Sequence, residues 1–510
     1  MGLAEPSIYP ASRRAGGSVH SGAGVSRGVR VNQNDDSFWK ISKTVKNMSI
    51  TELTIHPDAA SNFNNNALSL LELCKESRYN LARPKPKSSF PEPYIAAQIT
   101  DKDIESIGYL GMKNSVGESV AKYFTYKGKQ VGLEGDDYKK FVKLCEAIQK
   151  AIKPTLTTSR DAVEVQVFEW LDNRYSGNTT NDLVEYILPK LTAEIKEFEV
   201  CVPVGELIIQ SPIMIGRIEL RPITKELLDQ WKSPMVEKGN EANIQFNNEF
   251  FEEKMRKPYQ GMPGAFIKIQ AEPTAAQEIA LHETERSLAM LRVFTPAALI
   301  PEMSCHIAIR GSENIETVTA IRFHDGMFVG LSKDIADKSA RPLAIDNKMI
   351  AHMYASGLAT ISRLLSKDDL TAFEQTLLDA LALYSHATRE KELASKIIYI
   401  LAALEGVFLK NNTEPIQQNL RERIATILGK TLSQKKEIIT NINTIYGTRS
   451  AFLHHAQTIS QIEELGRFMY FAFMSLTTAI QNHDRFPSSQ EFIAAIDDFK
   501  LTGAIPSTWP

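Results

Sequence analysis

The stretch from Arg389 to Lys410 decides the architecture of the C-terminal part of the chain. It reads Arg-Glu-Lys-Glu-Leu-Ala-Ser-Lys-Ile-Ile-Tyr-Ile-Leu-Ala-Ala-Leu-Glu-Gly-Val-Phe-Leu-Lys. Leu393, Ile397, Leu401, Leu404 and Phe408 recur at helical spacing, so they line one face of a helix that must be buried. The pattern repeats downstream. Ile416, Leu420, Ile424 and Leu428 predict a helix over Pro415–Leu428, with Gly429 placed to end it. Ile438, Ile442 and Ile445 predict one over Ser433–Tyr446. Ile462, Leu465, Met469, Phe473, Leu476 and Ile480 predict the last, over Ile459–His483. Upstream, Ser366 with Asp369 resembles a capping box that opens a helix over Leu370–His386. Everything from Ala344 onward reads as helical, and antiparallel helices with short links make a bundle.

Working toward the N-terminus, the pattern changes. Phe198–Val204, Leu207–Gln210 and Ile213–Pro222 are rich in Val and Ile and read as strands, with turns at Gly205 and Ser211–Pro212. A polar stretch from Lys232 to Gly264 reads as a long loop with a short helix. Ala265–Ala271 is a predicted strand and Ala275–Val293 a predicted helix. Cys305–Arg310, Thr317–Phe323 and Met327–Leu331 are further strands. An antiparallel sheet is the expected arrangement for this middle region, 198–343. Residues 48–197 read as mainly helical, with helical spacing over Asn66–Leu73 and Asp137–Ile152, a Pro-rich break from Pro84 to Pro93, and a turn at Ser176–Gly177–Asn178. Residues 1–47 carry seven Lys/Arg against three Asp/Glu, a local net of +4, and no apolar period, so a disordered tail is expected. The fold class is therefore α+β and multidomain: a helical and antiparallel-sheet region, then an all-α bundle over 344–495.

Bulk properties narrow the function classes. A chain of 510 residues exceeds one ordinary core, so about two to four domains are expected. Net charge is −3, so no global basic field gathers nucleic acid, and an RNA site must be a local patch. Cys74, Cys145, Cys201 and Cys305 are far apart and form no CxxC pair, which argues against a zinc ribbon or disulfide scaffold and fits a reducing cytoplasm. No apolar run approaches the roughly 20 residues of a membrane helix, so no membrane partner is expected.

Chemistry concentrates in Tyr446-Gly-Thr-Arg449-Ser450-Ala-Phe-Leu-His454-His455. Arg449 is a permanent cation whose planar fork fits phosphate oxygens bidentately. Histidine exchanges protons near neutrality. An Arg and a His over one phosphate can cut RNA without a metal. On an ideal helix, residues five apart differ by about 140°, so Arg449 and His454 do not share a face. Either the helix breaks near Gly447 or the pair is completed across a dimer.

Residues of roughly 385–490, with Lys396-Ile-Ile-Tyr-Ile-Leu-Ala-Ala-Leu-Glu405 followed by Tyr446, Arg449, Ser450 and His454, resemble the HEPN superfamily in its Apea-like branch. The resemblance covers about a fifth of the chain. The branch usually has Gly after the His, where this chain has His455, which leaves two candidate histidines; His454 fits the branch better. The resemblance implies a helical bundle that pairs as a homodimer, with Arg449 and His454 catalytic and Ser450, Glu405, His455 and Tyr446 in support. It also implies a metal-independent endoribonuclease acting on single-stranded RNA without cofactors, of the kind found in phage-defence, toxin–antitoxin and stress systems. Relatives that have lost activity bind nucleotides or proteins, so a silent adaptor is the alternative. Without the resemblance, Arg449 could pair with a surface acid and His454 could be a helix-end residue. Glu405, set among Leu401, Leu404 and Phe408, would either hold a structural contact or orient Arg449 or His454. Ser450 would contact phosphate or only end a turn.

Other signals are weaker. His282-Glu-Thr-Glu-Arg286 has Arg where a zincin needs its second His. Glu194-Ile-Lys196 with Asp182 reads as a solvated helix face. His306 and His324 read as ordinary sheet residues. No phosphate-binding or dinucleotide-binding glycine fingerprint occurs. The expected protein is cytoplasmic and prokaryotic, with a sensor or regulatory region before the nuclease that takes a ligand or protein as its trigger.

Overall fold

The computed structural model describes residues 52–77, 109–114, 117–236, 248–312, 316–324, 327–335, 342–411, 413–455 and 461–503. The expected tail over 1–47 and the Pro-rich break at Pro84–Pro93 lie outside them.

The N-terminal part begins with α1 (Pro57–Leu73) and β1 (Lys75–Glu76), then β2 (Tyr109–Lys113), β3 (Ser119–Tyr126) and β4 (Lys129–Glu134). Helices α2 (Gly135–Ala151), α3 (Arg160–Tyr175) and α4 (Leu183–Glu194) follow. The expectation of a mainly helical 48–197 omitted this antiparallel sheet, whose order is β1-β4-β3-β2. Lys127 and Gly128 both take positive φ and make a two-residue turn of the kind that matches strand twist. Helices α2 and α3 cover one face of the sheet, with Phe141 and Phe168 packed over Phe124 and Leu133, all fully buried, and α1 and α4 pack against these helices.

The middle part carries β5 (Lys196–Gly205), β6 (Leu207–Ile209), β7 (Ile213–Ile215), β8 (Ile218–Pro222), α5 (Lys225–Val236), β9 (Pro263–Ala271) and α6 (Pro273–Val293). After these come β10 (Ala308–Ile309), β11 (Glu316–His324), β12 (Met327–Ile335) and β13 (Leu343–Ile345). Five strands form an antiparallel sheet in the order β10-β5-β9-β8-β7. The single strand expected over Ile213–Pro222 is two, because Gly216, at φ +61, turns the chain back. The strand expected over Cys305–Arg310 shrinks to two residues. Beyond the antiparallel expectation, β13 pairs with β6 in parallel, so the helical region starts after Ile345 rather than at Ala344.

One carboxylate ties the first two parts together. Glu272 caps α6 and accepts the amides of Thr274 (2.8 Å) and Ala275 (3.0 Å), and also that of Ser159 (3.2 Å), the residue that caps α3. Its own amide donates to Thr157 (2.8 Å). Two helix N-termini thus converge on one buried anion. Burial pushes the Glu272 carboxyl up, but the Thr274, Ala275 and Ser159 donors together hold it below its usual value. A depressed carboxyl stabilises the fold fully above the unfolded value of about 4.3, and that stability is lost as pH falls through the folded value. Glu272→Ala is therefore expected to cost about 2 kcal/mol at neutral pH. In parallel denaturant titrations the gap to wild type should close as the pH is taken below about 4. A gap independent of pH would show that the carboxylate charge is not what the joint uses.

The C-terminal part is helical: α7 (Asn347–Met353), α8 (Ala359–Leu365), α9 (Ala372–Arg389), α10 (Leu393–Phe408), α11 (Ile416–Leu428), α12 (Leu432–His455), α13 (Ile462–Gln481) and α14 (Ser489–Thr502). The capping box sits at Thr371 and Glu374, not at Ser366 and Asp369. Ser366 instead ends α8, its hydroxyl donating back to the Ser362 carbonyl (3.1 Å). Glu374 has the reach to accept the Thr371 amide (2.8 Å), which the shorter Asp369 side chain lacks. On α10, Ile397, Leu401, Leu404 and Phe408 are buried as the spacing predicts. The last helix, α14, lies beyond the expected final helix and closes the bundle through Phe492, Ile493 and Ile496. The apolar core of the bundle continues without interruption into the five-stranded sheet through α6, so residue 343 marks no break in packing.

Candidate functional site

The site residues come from two helices. Glu405 lies near the end of α10; Tyr446, Arg449, Ser450, His454 and His455 lie on α12. α12 was expected to end at Tyr446 and instead runs unbroken through Gly447 to His455. Gly447 costs about 1 kcal/mol in a helix interior, which the packing of Ile438, Ile442 and Ile445 below it outweighs. The Arg449–His454 separation is therefore the helical one: about 140° around the axis and about 7.5 Å along it.

Tyr446 and Glu405 meet across the two helices, the phenol donating to the Glu405 carboxylate at 2.8 Å. Burial, then the hydrogen bond and charge of Glu405, push the Tyr446 phenol up, while the Arg449 charge pulls it the other way. Tyr446 therefore stays protonated at every physiological pH and acts as a fixed donor, not as an acid or base. Of the two roles weighed for Glu405, the structure shows a contact to the turn that precedes Arg449 and none to Arg449 or His454.

Arg449 is half-buried. Its Nε is shut off from solvent and has no hydrogen-bond partner among the described residues, and the side chain forms no ion pair with any of them. A buried guanidinium nitrogen without a partner forgoes roughly 1–3 kcal/mol. Ser450 and His454 are exposed on another side of the helix, and His455 is its last residue. Sequence reading overlooked Asn443, which shares the His454 side with Gly447 and Ser450. The spacing of four, three and four residues was the available signal.

The other sequence signals stay apart from this site. His282 is exposed on α6 beside Glu283. Glu194 ends α4 and Lys196 opens β5, away from any strand carrying both. His306 precedes β10 and meets the Ser304 hydroxyl at 3.0 Å, and His324 ends β11. Among the described residues, no three of His, Cys, Asp and Glu gather in a metal-binding group. None of the described helices is long and apolar enough to cross a membrane. Compared with known proteins, the chain matches no family model, no curated protein and no solved structure.

Proposed function

We propose that this chain is an endoribonuclease of the HEPN type, working as a homodimer under the control of its own N-terminal and middle parts. The observation that carries the reading is Arg449: a guanidinium held in a helical bundle, unpaired among the described residues and one and a half turns from a histidine. RNA supplies the nucleophile. The 2′-OH loses its proton to neutral His454 and attacks the adjacent phosphorus. The bond to the leaving 5′-oxygen breaks, and that oxygen takes a proton from a protonated histidine. Such transfer is worth about 10²–10⁴-fold in rate. Arg449 binds the non-bridging oxygens and opposes the charge that builds in the transition state. The products are a 2′,3′-cyclic phosphate and a 5′-hydroxyl. DNA has no 2′-OH and resists this route. An unregulated RNase harms its own cell, which is the reason to read residues before 344 as the controlling element of a defence or stress effector.

The test is cleavage of a labelled single-stranded RNA in the presence of EDTA, with product ends read by mass spectrometry. Cyclic-phosphate ends in EDTA are the expected result. Strict dependence on added Mg²⁺, or 3′-hydroxyl ends, would overturn the mechanism. An inert protein that still binds a nucleotide or partner would move the reading to an adaptor.

A further inference from the structure

Among the described residues, four arginines carry a buried guanidinium nitrogen with no hydrogen-bond partner: Arg221, Arg256, Arg421 and Arg449. Arg221 is ion-paired to Glu199 and Glu219, and Arg256 to Asp229 and Glu252. Arg421 forms no ion pair with a described residue. The carboxylate of Glu422, its neighbour in sequence, feels its charge but is engaged by Lys500. Arg421 therefore shares with Arg449 the combination of a buried, unsatisfied guanidinium nitrogen and no ion pair among the described residues.

The position of Arg421 is fixed from α12. Its Nη1 donates to Asn443 Oδ1 at 2.6 Å, and Gln417, one turn earlier on α11, donates to the same oxygen at 3.0 Å. Asn443, Gly447, Ser450 and His454 follow one another at helical spacing and lie within about 60° of each other around α12. The floor between the two ends is open. Gly447 and Ser450 are exposed, and a Cβ added at Gly447 would meet nothing within 4 Å. From Asn443 to His454 the rise is about 16 Å, further than one phosphate reaches.

We propose that Arg421, held by Asn443, is a second phosphate-binding residue, and that single-stranded RNA lies along α12 from His454 over Ser450 and Gly447 to Arg421. The substrate is then an oligonucleotide gripped at two phosphates, not a dinucleotide. The inference rests on the nuclease reading and adds to it a binding subsite outside the reacting pair.

Binding is measured by fluorescence anisotropy with a 12-nucleotide 2′-O-methyl RNA, which keeps the phosphates but cannot be cut. Arg421→Ala is expected to weaken binding about tenfold or more. It should also flatten the slope of log K against log salt by about 0.7, the share of one phosphate contact on a single strand. Arg421→Lys should keep the salt slope and lose part of the affinity. Gly447→Leu fills open space on a helix with a better helix former, so it should leave the melting temperature no lower while blocking the track. Cleavage of unmodified RNA by wild type is followed alongside. If wild type cuts RNA but Arg421→Ala and Gly447→Leu bind as it does with the same salt slope, the subsite falls and the nuclease stands. If wild type neither binds nor cuts, both fall.

Discussion

Arg449→Ala is expected to lower RNA cleavage by about 10³-fold while leaving the fold intact. The size follows from its proposed place. A half-buried guanidinium with no ion pair among the described residues keeps its strength for charge that appears only in the transition state. The lack of structural cost follows from the same fact: the side chain supports no hydrogen bond or ion pair among the described residues, so its removal orphans no described partner. The melting temperature should stay within about 4 °C of wild type. Arg449→Lys separates charge from shape, because lysine keeps the cation and loses the two-pronged fork; an intermediate rate is expected. His454→Ala should cost about 10²–10⁴-fold, and His455→Ala little. The reverse order for the two histidines would shift the motif by one residue. Full activity in Arg449→Ala, measured in EDTA against wild type, would remove this arginine from the chemistry.

How much of this was legible depended on whether a segment's own pattern matched its surroundings. α10 was readable because Leu393, Ile397, Leu401, Leu404 and Phe408 recur at helical spacing, although Lys396, Ile400, Ala403 and Val407 are buried beside that stripe. β3 was not, because it is covered on both faces: Tyr123 and Phe124, neighbours that point to opposite sides, are both fully buried, so no alternation survives. The Lys127–Gly128 turn also lacks the Asn-Gly or Asp-Gly signature that flags a hairpin. α14 was missed although Ser488 caps it and Phe492 and Ile496 recur at helical spacing. The capping box slipped by five residues because Ser366-x-x-Asp369 satisfies the pattern nearly as well as Thr371-x-x-Glu374; the longer reach of Glu374 and its tertiary partners decide. Lys367 reaches it at 2.7 Å, and His483, from the end of the bundle, at 3.2 Å.

The candidate site divides in the same way. Residue types and spacing on α12 were open to inspection, and so was the angular conflict between Arg449 and His454. The Tyr446–Glu405 bond joins residues 41 apart in sequence and the Arg421–Asn443 bond residues 22 apart. Neither has a local signature, because what selects them is the packing of α10 and α11 against α12. The continuity of α12 through Gly447 was a question of magnitude: one glycine's cost against a buried stripe of isoleucines, and the stripe wins.

That continuity leads to the second large effect, which concerns assembly. With the helix unbroken, one chain presents Arg449 and His454 on different sides, and a single phosphate does not meet both. The proposed two-fold dimer would remove the conflict by setting Arg449 of one protomer opposite His454 of the other. Arg449→Ala and His454→Ala chains, each inactive alone, are therefore expected to regain activity when mixed and allowed to exchange. In a mixed dimer one centre has lost both groups and the other keeps both. With random exchange half the dimers are mixed and half their centres are whole, so about a quarter of wild-type activity should return. The rise should follow subunit exchange in time and disappear if exchange is prevented by cross-linking each variant beforehand. No recovery after verified exchange would mean that each centre is built within one chain, and α12 would then have to bend at Gly447 when RNA binds. A protein that remains monomeric by light scattering at micromolar concentration, yet cuts RNA at full rate, would exclude a shared centre altogether.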